Sequence, residues 1–467
     1  MAIWIIVAGE WGEIMRRLVP IAVALALAAC AKPYDPPQVF DENFSSASGA
    51  TSEAPAQGFA GLSDLAQMSA PAGGAVLPTR VLWTHGMCSP SDGTQPDDPY
   101  VWWQVRTRDL LAAYPGAQQV GAPVLSELSP GGSLLIKVTL SVPGRAASTT
   151  RTVELWFFDW SPLTKPFKLQ ELGDIEAGKG NPYTYERATL NGKLKQGLIK
   201  DCLADVVVYL GKNGNRIRND AQIAVCQMLD GRFDRDTGCA GASGARFTAL
   251  ISESIGSSIL FDAFRSLRLD YVAARKETIE RLKATAPEIQ TKPPSDNTST
   301  GKLNSAADAY RASVTNANAV MEQAAANSAD ISAAMASLTS FYMLANQIPL
   351  LNFAGQRLNE TQNLPFEEFV ASAMEKRTPG KGASALTVVA FVDPNDLLSF
   401  RLIPKSGRAR VINFVVSNAD SYFGYVEMPD RAHCDYIRNG YVMHAIVFGY
   451  GGGVPQIGPV DDPEKCL

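Results

Sequence analysis

Short apolar runs alternate along the chain with longer stretches whose apolar residues repeat at helical spacing. The short runs are rich in β-branched and aromatic residues, as strands inside a sheet are. They are Thr79–Thr84, 133–142, 149–159, 247–252, 341–345, 386–391 and 411–416. Helices are predicted over 201–210, over 217–229 and from Ile255 onward. Strands alternating with helices predict an α/β fold, with a mostly parallel sheet and helices on both faces.

A helical hairpin is predicted as an insertion over about 271–339. The cluster of Pro, Ser, Thr and Asn at 291–300 predicts a loop. After it, residues of the packing stripe recur at alternating spacings of four and three, which predicts one long helix. They are Tyr310, Val314, Ala317, Met321, Ala324, Ser328, Ile331, Met335 and Leu338. The partner is the helix that carries Leu260, Phe264, Leu267, Tyr271 and Leu282. The hairpin could be a lid, a docking arm for a protein partner, or a structural insertion.

The N-terminus has the layout of an export signal. Basic residues Arg16 and Arg17 follow Met15, the expected start, and 18–29 is almost entirely apolar. That run is shorter than the roughly 20 residues that span a bilayer and is typical of a signal peptide. It ends in Leu-Ala-Ala before Cys30, which resembles the bacterial lipobox. The resemblance implies a diacylglycerol anchor on Cys30 and, with alanine rather than aspartate next, an outer-membrane location. A plain secretory signal is the alternative.

Residues 31–78 are rich in Pro, Ala, Ser and Gly and have little periodicity. This composition predicts a flexible tether between the lipid and the folded part. The predicted organisation is therefore a signal peptide over 1–29, a lipidated tether over 30–78, and one domain over 79–467.

Composition and cysteine content narrow the class of protein. Apolar residues make up 46% of the chain, charged residues 19%, and the net charge is −5, with no basic stripe to bind nucleic acid. Without Cys30, six cysteines remain, an even number that fits disulfides in an oxidising compartment. Fifteen pairings are possible, and Cys226 with Cys239, which bracket a polar loop, is the favoured one. The cysteine and histidine spacing has no zinc pattern, and neither a metal nor a cofactor is predicted.

The pentapeptide around Ser254 is the first candidate for chemistry. Ser252-Glu253-Ser254-Ile255-Gly256 lies between a predicted buried strand and a helix. A sharp strand-to-helix turn would lift the central serine out of the sheet as a nucleophile, with small residues two positions away on either side. The alternative is that Ser254 only caps the helix.

A carboxylate and a histidine follow later in the chain. Asp396 comes after strand 386–391 in a polar turn and is the preferred acid, with Asp393 as the alternative. One of the two is expected to shape the turn. Of the three histidines, His85 belongs to the first strand's loop and His444 to an apolar run. His433 lies in a polar loop after the last predicted strand and is the candidate base.

The chain order Ser254, Asp396, His433 resembles that of the α/β-hydrolase superfamily. The turn Thr84-His85-Gly86-Met87 is similar to the oxyanion loop of that family. The resemblance implies that the backbone amides of Met87 (or Cys88) and of Ile255 hold the oxyanion. Glu253 is an unusual neighbour for the nucleophile, since a carboxylate there opposes an oxyanion unless it points away.

These features together predict an esterase-like or lipase-like serine hydrolase at the cell envelope. It would cleave a carboxylic ester, with an ester or lipid as substrate. The alternative is a non-catalytic binding or scaffold lipoprotein on the same fold. A short distance between the side chains of Ser254 and His433 would favour the enzyme, and a wide separation the scaffold.

Overall fold

The computed structural model describes most of the chain after residue 29. The described residues are 30–45, 50–68, 77–87, 102–144, 149–172, 188, 191–192, 194–243, 247–290, 297–355, 365–375, 386–419, 421–422 and 429–458. The strands are β1 Cys30–Ala31, β2 Gln38–Ser45, β3 Ala50–Pro55, β4 Thr79–Thr84, β5 Gln118–Gln119, β6 Val124–Glu127, β7 Leu134–Pro143, β8 Thr150–Asp159, β9 Arg232–Asp234, β10 Gly238–Ala240, β11 Phe247–Glu253, β12 Ser340–Leu344, β13 Thr387–Val392, β14 Arg410–Val415 and β15 Ser421–Tyr422.

The helices lie mainly between these strands. They are α1 Leu62–Met68, α2 Trp102–Ala113, α3 Ser161–Glu171, α4 Ala204–Leu210, α5 Gly214–Met228, α6 Gly256–Arg265, α7 Tyr271–Gln290, α8 Asn297–Met335, α9 Ile348–Gly355, α10 Pro365–Glu375, α11 Pro429–Cys434 and α12 Gly440–Phe448. The π-helical segments Leu194–Leu203 and Ser266–Asp270 lead directly into α4 and α7.

Eleven of the described strands form one mixed sheet. Its six central strands are parallel and lie in the order β8-β4-β11-β12-β13-β14. Antiparallel strands flank them, with β7 beside β8 and β2 beside β14. From β4 the chain first adds β8 on one side of β4. The later strands β11, β12, β13 and β14 are then added on the opposite side, so the direction in which strands are added reverses. This reversal lies between β4 and β11, and open α/β sheets bind ligands at such a point, beyond the carboxyl ends of the strands.

The central strands are buried on both faces, which explains why their sequences are mostly apolar. In β4, Leu82 points to the face that α5, α6 and α10 cover. Its neighbours Val81 and Trp83 point to the other face, which α1, α2 and α12 cover. The predicted α/β class, with a mostly parallel sheet and helices on both faces, is confirmed.

The helical hairpin is formed by α7 and α8, which pack against each other. Arg268, just before α7, donates from Nε to Ser332 Oγ near the end of α8, at 3.2 Å, so the two helices are antiparallel. Asn327 Nδ2 also donates to the Thr237 carbonyl at 2.9 Å, which joins α8 to the body of the fold. The buried residues Ile331 and Met335 come from the predicted packing stripe.

The predicted tether over 30–78 is wrong for the described residues 30–45 and 50–68. Strands β2 and β3 extend the sheet beyond β14, and α1 packs in the core. Arg410 of β14 donates from Nε to Asp41 Oδ1 at 2.9 Å, and Asn413 Nδ2 to Glu42 Oε1 at 2.7 Å. The polar strand β2 is stabilised by partners about 370 positions away, which local composition does not reveal. The folded part therefore begins before residue 79.

The Cys226–Cys239 disulfide is present as predicted, with the two Cα atoms 5.5 Å apart. Cys202 is disulfide-bonded as well. Cys88 and Cys466 lie outside the described residues, as does the predicted signal peptide. Within the part of the chain that the structure describes, no helix has the length and apolar character needed to cross a membrane.

Candidate active site

Ser254 occupies a strained turn between β11 and α6. Its φ is 52°, in the left-handed region that non-glycine residues rarely adopt. Its amide donates to the Leu344 carbonyl at the end of β12, at 2.7 Å. A Cβ added to Gly256 would lie 2.8 Å from the His85 carbonyl, so glycine is required for the turn to pack against the β4 loop. This geometry matches the strand–turn–helix that the sequence predicts.

His433 reaches this turn from α11, at the same end of the sheet. Its Nε2 lies 3.2 Å from Ser254 Oγ, and both side chains are buried. Asn418 Nδ2 donates to the Ala432 carbonyl at 2.8 Å and so holds α11 against the loop that follows β14. The predicted nucleophile and base are thus within hydrogen-bonding reach.

Asp396 lies on the other side of the imidazole. His433 Nδ1 is 2.9 Å from Asp396 Oδ2 and 3.0 Å from Oδ1. The Leu398 amide donates to Oδ1 at 2.9 Å, and Tyr436 Oη to Oδ2 at 3.3 Å. Burial and, after it, the Asp396 charge raise the pKa of Tyr436 well above its usual value, so the phenol stays protonated and donates. A carboxylate at Nδ1 favours the tautomer whose Nε2 can accept the Ser254 proton.

Asp393, the alternative acid, has a structural role. Its Oδ1 accepts from the Asn395 amide at 2.9 Å, and its Oδ2 from the Asn418 amide at 2.6 Å. Its own amide donates to Tyr436 Oη at 2.6 Å. Asp393 therefore shapes the turn after β13 and joins it to the loop after β14, while Asp396 faces the imidazole.

The loop after β4 is pressed against the Ser254 turn. A Cβ added to Gly86 would lie 2.5 Å from Ser254 Cβ, so only glycine fits there. His85 Nδ1 donates to the Gly86 carbonyl at 2.7 Å, and its ring stacks on Trp160 with centroids 4.8 Å apart. Because the peptide is trans, the Met87 N–H points away from the His85 ring. The predicted amide donors Met87 and Ile255 thus lie in two adjoining turns, and Cys88 lies outside the described residues.

Glu253 points away from Ser254, to the face of the sheet that carries Trp83. Its Oε1 accepts from the indole N–H groups of Trp83 and Trp102, at 2.9 and 3.2 Å. Arg106 binds both oxygens, from Nε to Oε1 at 2.8 Å and from Nη2 to Oε2 at 2.9 Å. Since the two charges neutralise each other, this carboxylate does not carry an unpaired charge next to Ser254.

Sequence reasoning missed Arg106 and Tyr436. A signal for Arg106 existed, because Trp102 and Arg106 are four residues apart and therefore share one face of a helix. No sequence signal singles out Tyr436. Of the other two histidines, His85 stabilises the loop after β4 through its hydrogen bond to the Gly86 carbonyl. His444 lies on α12, where its ring packs on Phe448 and burial lowers its pKa.

Comparison with known proteins identified no relative of this chain. Searches against protein-family models, curated proteins and solved structures each gave no significant match. Among the described residues, no three His, Cys, Asp or Glu side chains are grouped as a metal site.

Proposed function

We propose that this protein is a serine hydrolase of the α/β-hydrolase type that cleaves a carboxylic ester. Ser254 is the nucleophile, His433 the general base and acid, and Asp396 the carboxylate that orients the imidazole. The observation that carries the proposal is the continuous contact from Ser254 Oγ to His433, at 3.2 Å, and from His433 to Asp396, at 2.9 Å.

The sheet topology supports the family assignment. The nucleophile turn follows β11, and the candidate oxyanion loop follows its neighbour β4. The acid follows β13 and the base follows β14, the next strand in the sheet. Each group thus stands at the carboxyl end of a parallel strand, near the reversal of strand order where such sheets bind ligands.

The reaction proceeds in two halves. Ser254 Oγ attacks the ester carbonyl while its proton moves to His433 Nε2, and the amides of Met87 and Ile255 stabilise the oxyanion. The tetrahedral intermediate then expels the alcohol, which takes the proton from His433. A water molecule, deprotonated by His433, next attacks the acyl-enzyme. The second tetrahedral intermediate then releases the carboxylic acid, and Ser254 Oγ takes the proton back from His433. Asp396 keeps its charge throughout and stabilises the imidazolium.

The non-catalytic scaffold has less support. It would be favoured by a wide separation of Ser254 and His433, and the two are in contact. A carboxylate beside Ser254 would also favour loss of activity if its charge were unpaired, and Glu253 is neutralised by Arg106.

Fluorophosphonate labelling of the mature protein tests the proposal. We expect one adduct, on the peptide that contains Ser254, and its loss in Ser254→Ala. Ser258→Ala is the matched control, because this serine lies on the helix that follows and should leave labelling unchanged. A folded protein that is not labelled, or is labelled equally in Ser254→Ala, would refute the assignment.

A further inference from the structure

Cys30, the predicted lipidation site, lies in a strand of the fold. It pairs with Tyr422, and Ala31 pairs with Ser421, where β1 and β15 run antiparallel. The Tyr34 amide also donates to Ser417 Oγ at 3.1 Å, and Tyr441 Oη to Asp35 Oδ1 at 2.7 Å. The first described residues are therefore held against the segment that follows β14.

That segment borders the candidate active site. It connects β14 to α11, which carries His433. Within it, Asn418 donates from its amide to Asp393 Oδ2 and from Nδ2 to the Ala432 carbonyl. β14 is three strand positions from β11, about 14 Å along the sheet. Cys30 and Ser254 thus lie at the same edge of the sheet, where the parallel strands end.

Apolar side chains are exposed at this edge beside the triad. Leu397, next to Asp396, has 69% of its surface exposed, and Phe400 and Leu350 are exposed as well. The Phe400 amide donates to the Asn346 carbonyl at 2.8 Å, so the loop after β13 lies against the start of α9. Exposed apolar groups that cluster on one side of a protein indicate a surface that contacts something apolar.

We propose that this edge of the sheet lies on the bilayer that holds the Cys30 anchor, and that the substrate is an ester of a lipid in that bilayer. The inference rests on the proposed function. The bilayer is the expected occupant because acyl chains on Cys30 would enter it at the end of the parallel strands where Leu397 and Leu350 are exposed. A flexible tether of 48 residues (31–78) would let the site move roughly 40 Å from the anchor. The observed pairing of β1 removes that freedom.

The orientation can be measured without any catalysis. Full-length lipidated protein is placed in phospholipid vesicles with brominated acyl chains, which quench tryptophan at short range. Leu397→Trp is compared with Leu269→Trp. Leu269 is 38% exposed. It follows α6, which starts at the Ser254 turn and runs back along the strands, so Leu269 lies at the opposite edge of the sheet, where the parallel strands begin. We expect the emission gained in Leu397→Trp to be quenched and that in Leu269→Trp to be unaffected. Equal quenching of both, or of Leu269→Trp alone, would overturn the orientation.

The substrate class is tested with the same lipidated protein and two esters. One is a long-chain ester embedded in the vesicles, and the other is a short water-soluble ester. Leu397→Ser should lower turnover of the embedded ester about tenfold, since it removes an apolar contact with the bilayer. It should leave turnover of the soluble ester unchanged, and Leu269→Ser should alter turnover of neither ester.

If Leu397→Ser turned over the embedded ester at the wild-type rate, or if only the soluble ester were cleaved, the lipid substrate would be wrong. If neither ester were cleaved and fluorophosphonate did not label Ser254, the hydrolase proposal itself would fail, while quenching would still decide the orientation.

Discussion

Replacing Arg106 tests how the protein accommodates a carboxylate beside Ser254, the proposed nucleophile. In Arg106→Met, Glu253 keeps its two indole donors and loses both bonds from the guanidinium. The side chains of Arg106 and Glu253 are only 15% and 16% exposed. Removing one partner of such a pair leaves a charge that water reaches poorly, so the free energy of unfolding should fall by about 3 kcal/mol.

The same change should slow catalysis for an electrostatic reason. The freed Glu253 charge lies on the residue before Ser254 and opposes the oxyanion. With an assumed separation of about 7 Å between the Glu253 carboxylate and the oxyanion, and an effective dielectric constant of about 20, the repulsion is about 2 kcal/mol, which corresponds to about thirtyfold in kcat/KM. In the double variant Arg106→Met/Glu253→Gln neither charge remains, so activity should return to within a few-fold of wild type. Stability should be partly restored in the double variant.

Urea unfolding followed by circular dichroism and turnover of a soluble ester measure the two effects. Arg281→Met is the control for the loss of an ion pair, because Arg281 is 73% exposed and pairs with Glu277 on the surface of α7. Arg281→Met should lower the free energy of unfolding by less than about 1 kcal/mol. If Arg106→Met were no more harmful than this control, or if adding Glu253→Gln gave no recovery, the neutralisation argument would be refuted.

Three further predictions use other parts of the site and fold. Asp396→Asn should lower kcat by about 10³- to 10⁴-fold with the fold intact, because the amide favours the wrong imidazole tautomer. Asp393→Asn should instead lower the urea midpoint, and similar kinetic losses in both variants would contradict the assigned roles. Gly86→Ala should reduce fluorophosphonate labelling, since its Cβ would fall 2.5 Å from that of Ser254; labelling at the wild-type rate would contradict the tight packing. Burial lowers the pKa of His444, so the folded state loses stability as the pH falls below about 6.5, where the unfolded chain takes up the proton first. Urea midpoints at pH 7.5 and pH 5 should therefore differ less in His444→Gln than in wild type, and an equal difference would contradict this.

The central strands could be predicted because their sequence signal is local. A strand buried on both faces needs a run of consecutive apolar residues, and β12 and β13 have such runs at 341–344 and 388–392. The long helix α8 was predicted from its spacing for the same reason. Local signals also indicated the order Ser254, Asp396, His433, since each group follows a recognisable strand.

Other features depend on contacts that sequence spacing does not encode. β2 carries Asp41, Glu42 and Asn43, which resemble a linker until Arg410 and Asn413 are brought against them. The choice between Asp393 and Asp396 likewise depends on which carboxylate faces the imidazole. Two carboxylates three positions apart in one turn point in different directions, and only the folded loop determines which is which.

The pairing of β2 with β14 has a consequence for when this protein can finish folding. The ion pair between Asp41 and Arg410 joins residues 369 positions apart. At synthesis rates of about 5–20 residues per second, β2 waits roughly 20–70 seconds for its partner. During that time its edge is open to pairing with other chains, and the charges of Asp41 and Glu42 disfavour such pairing. The polar character that made this segment resemble a linker therefore also protects the newly made chain from aggregation.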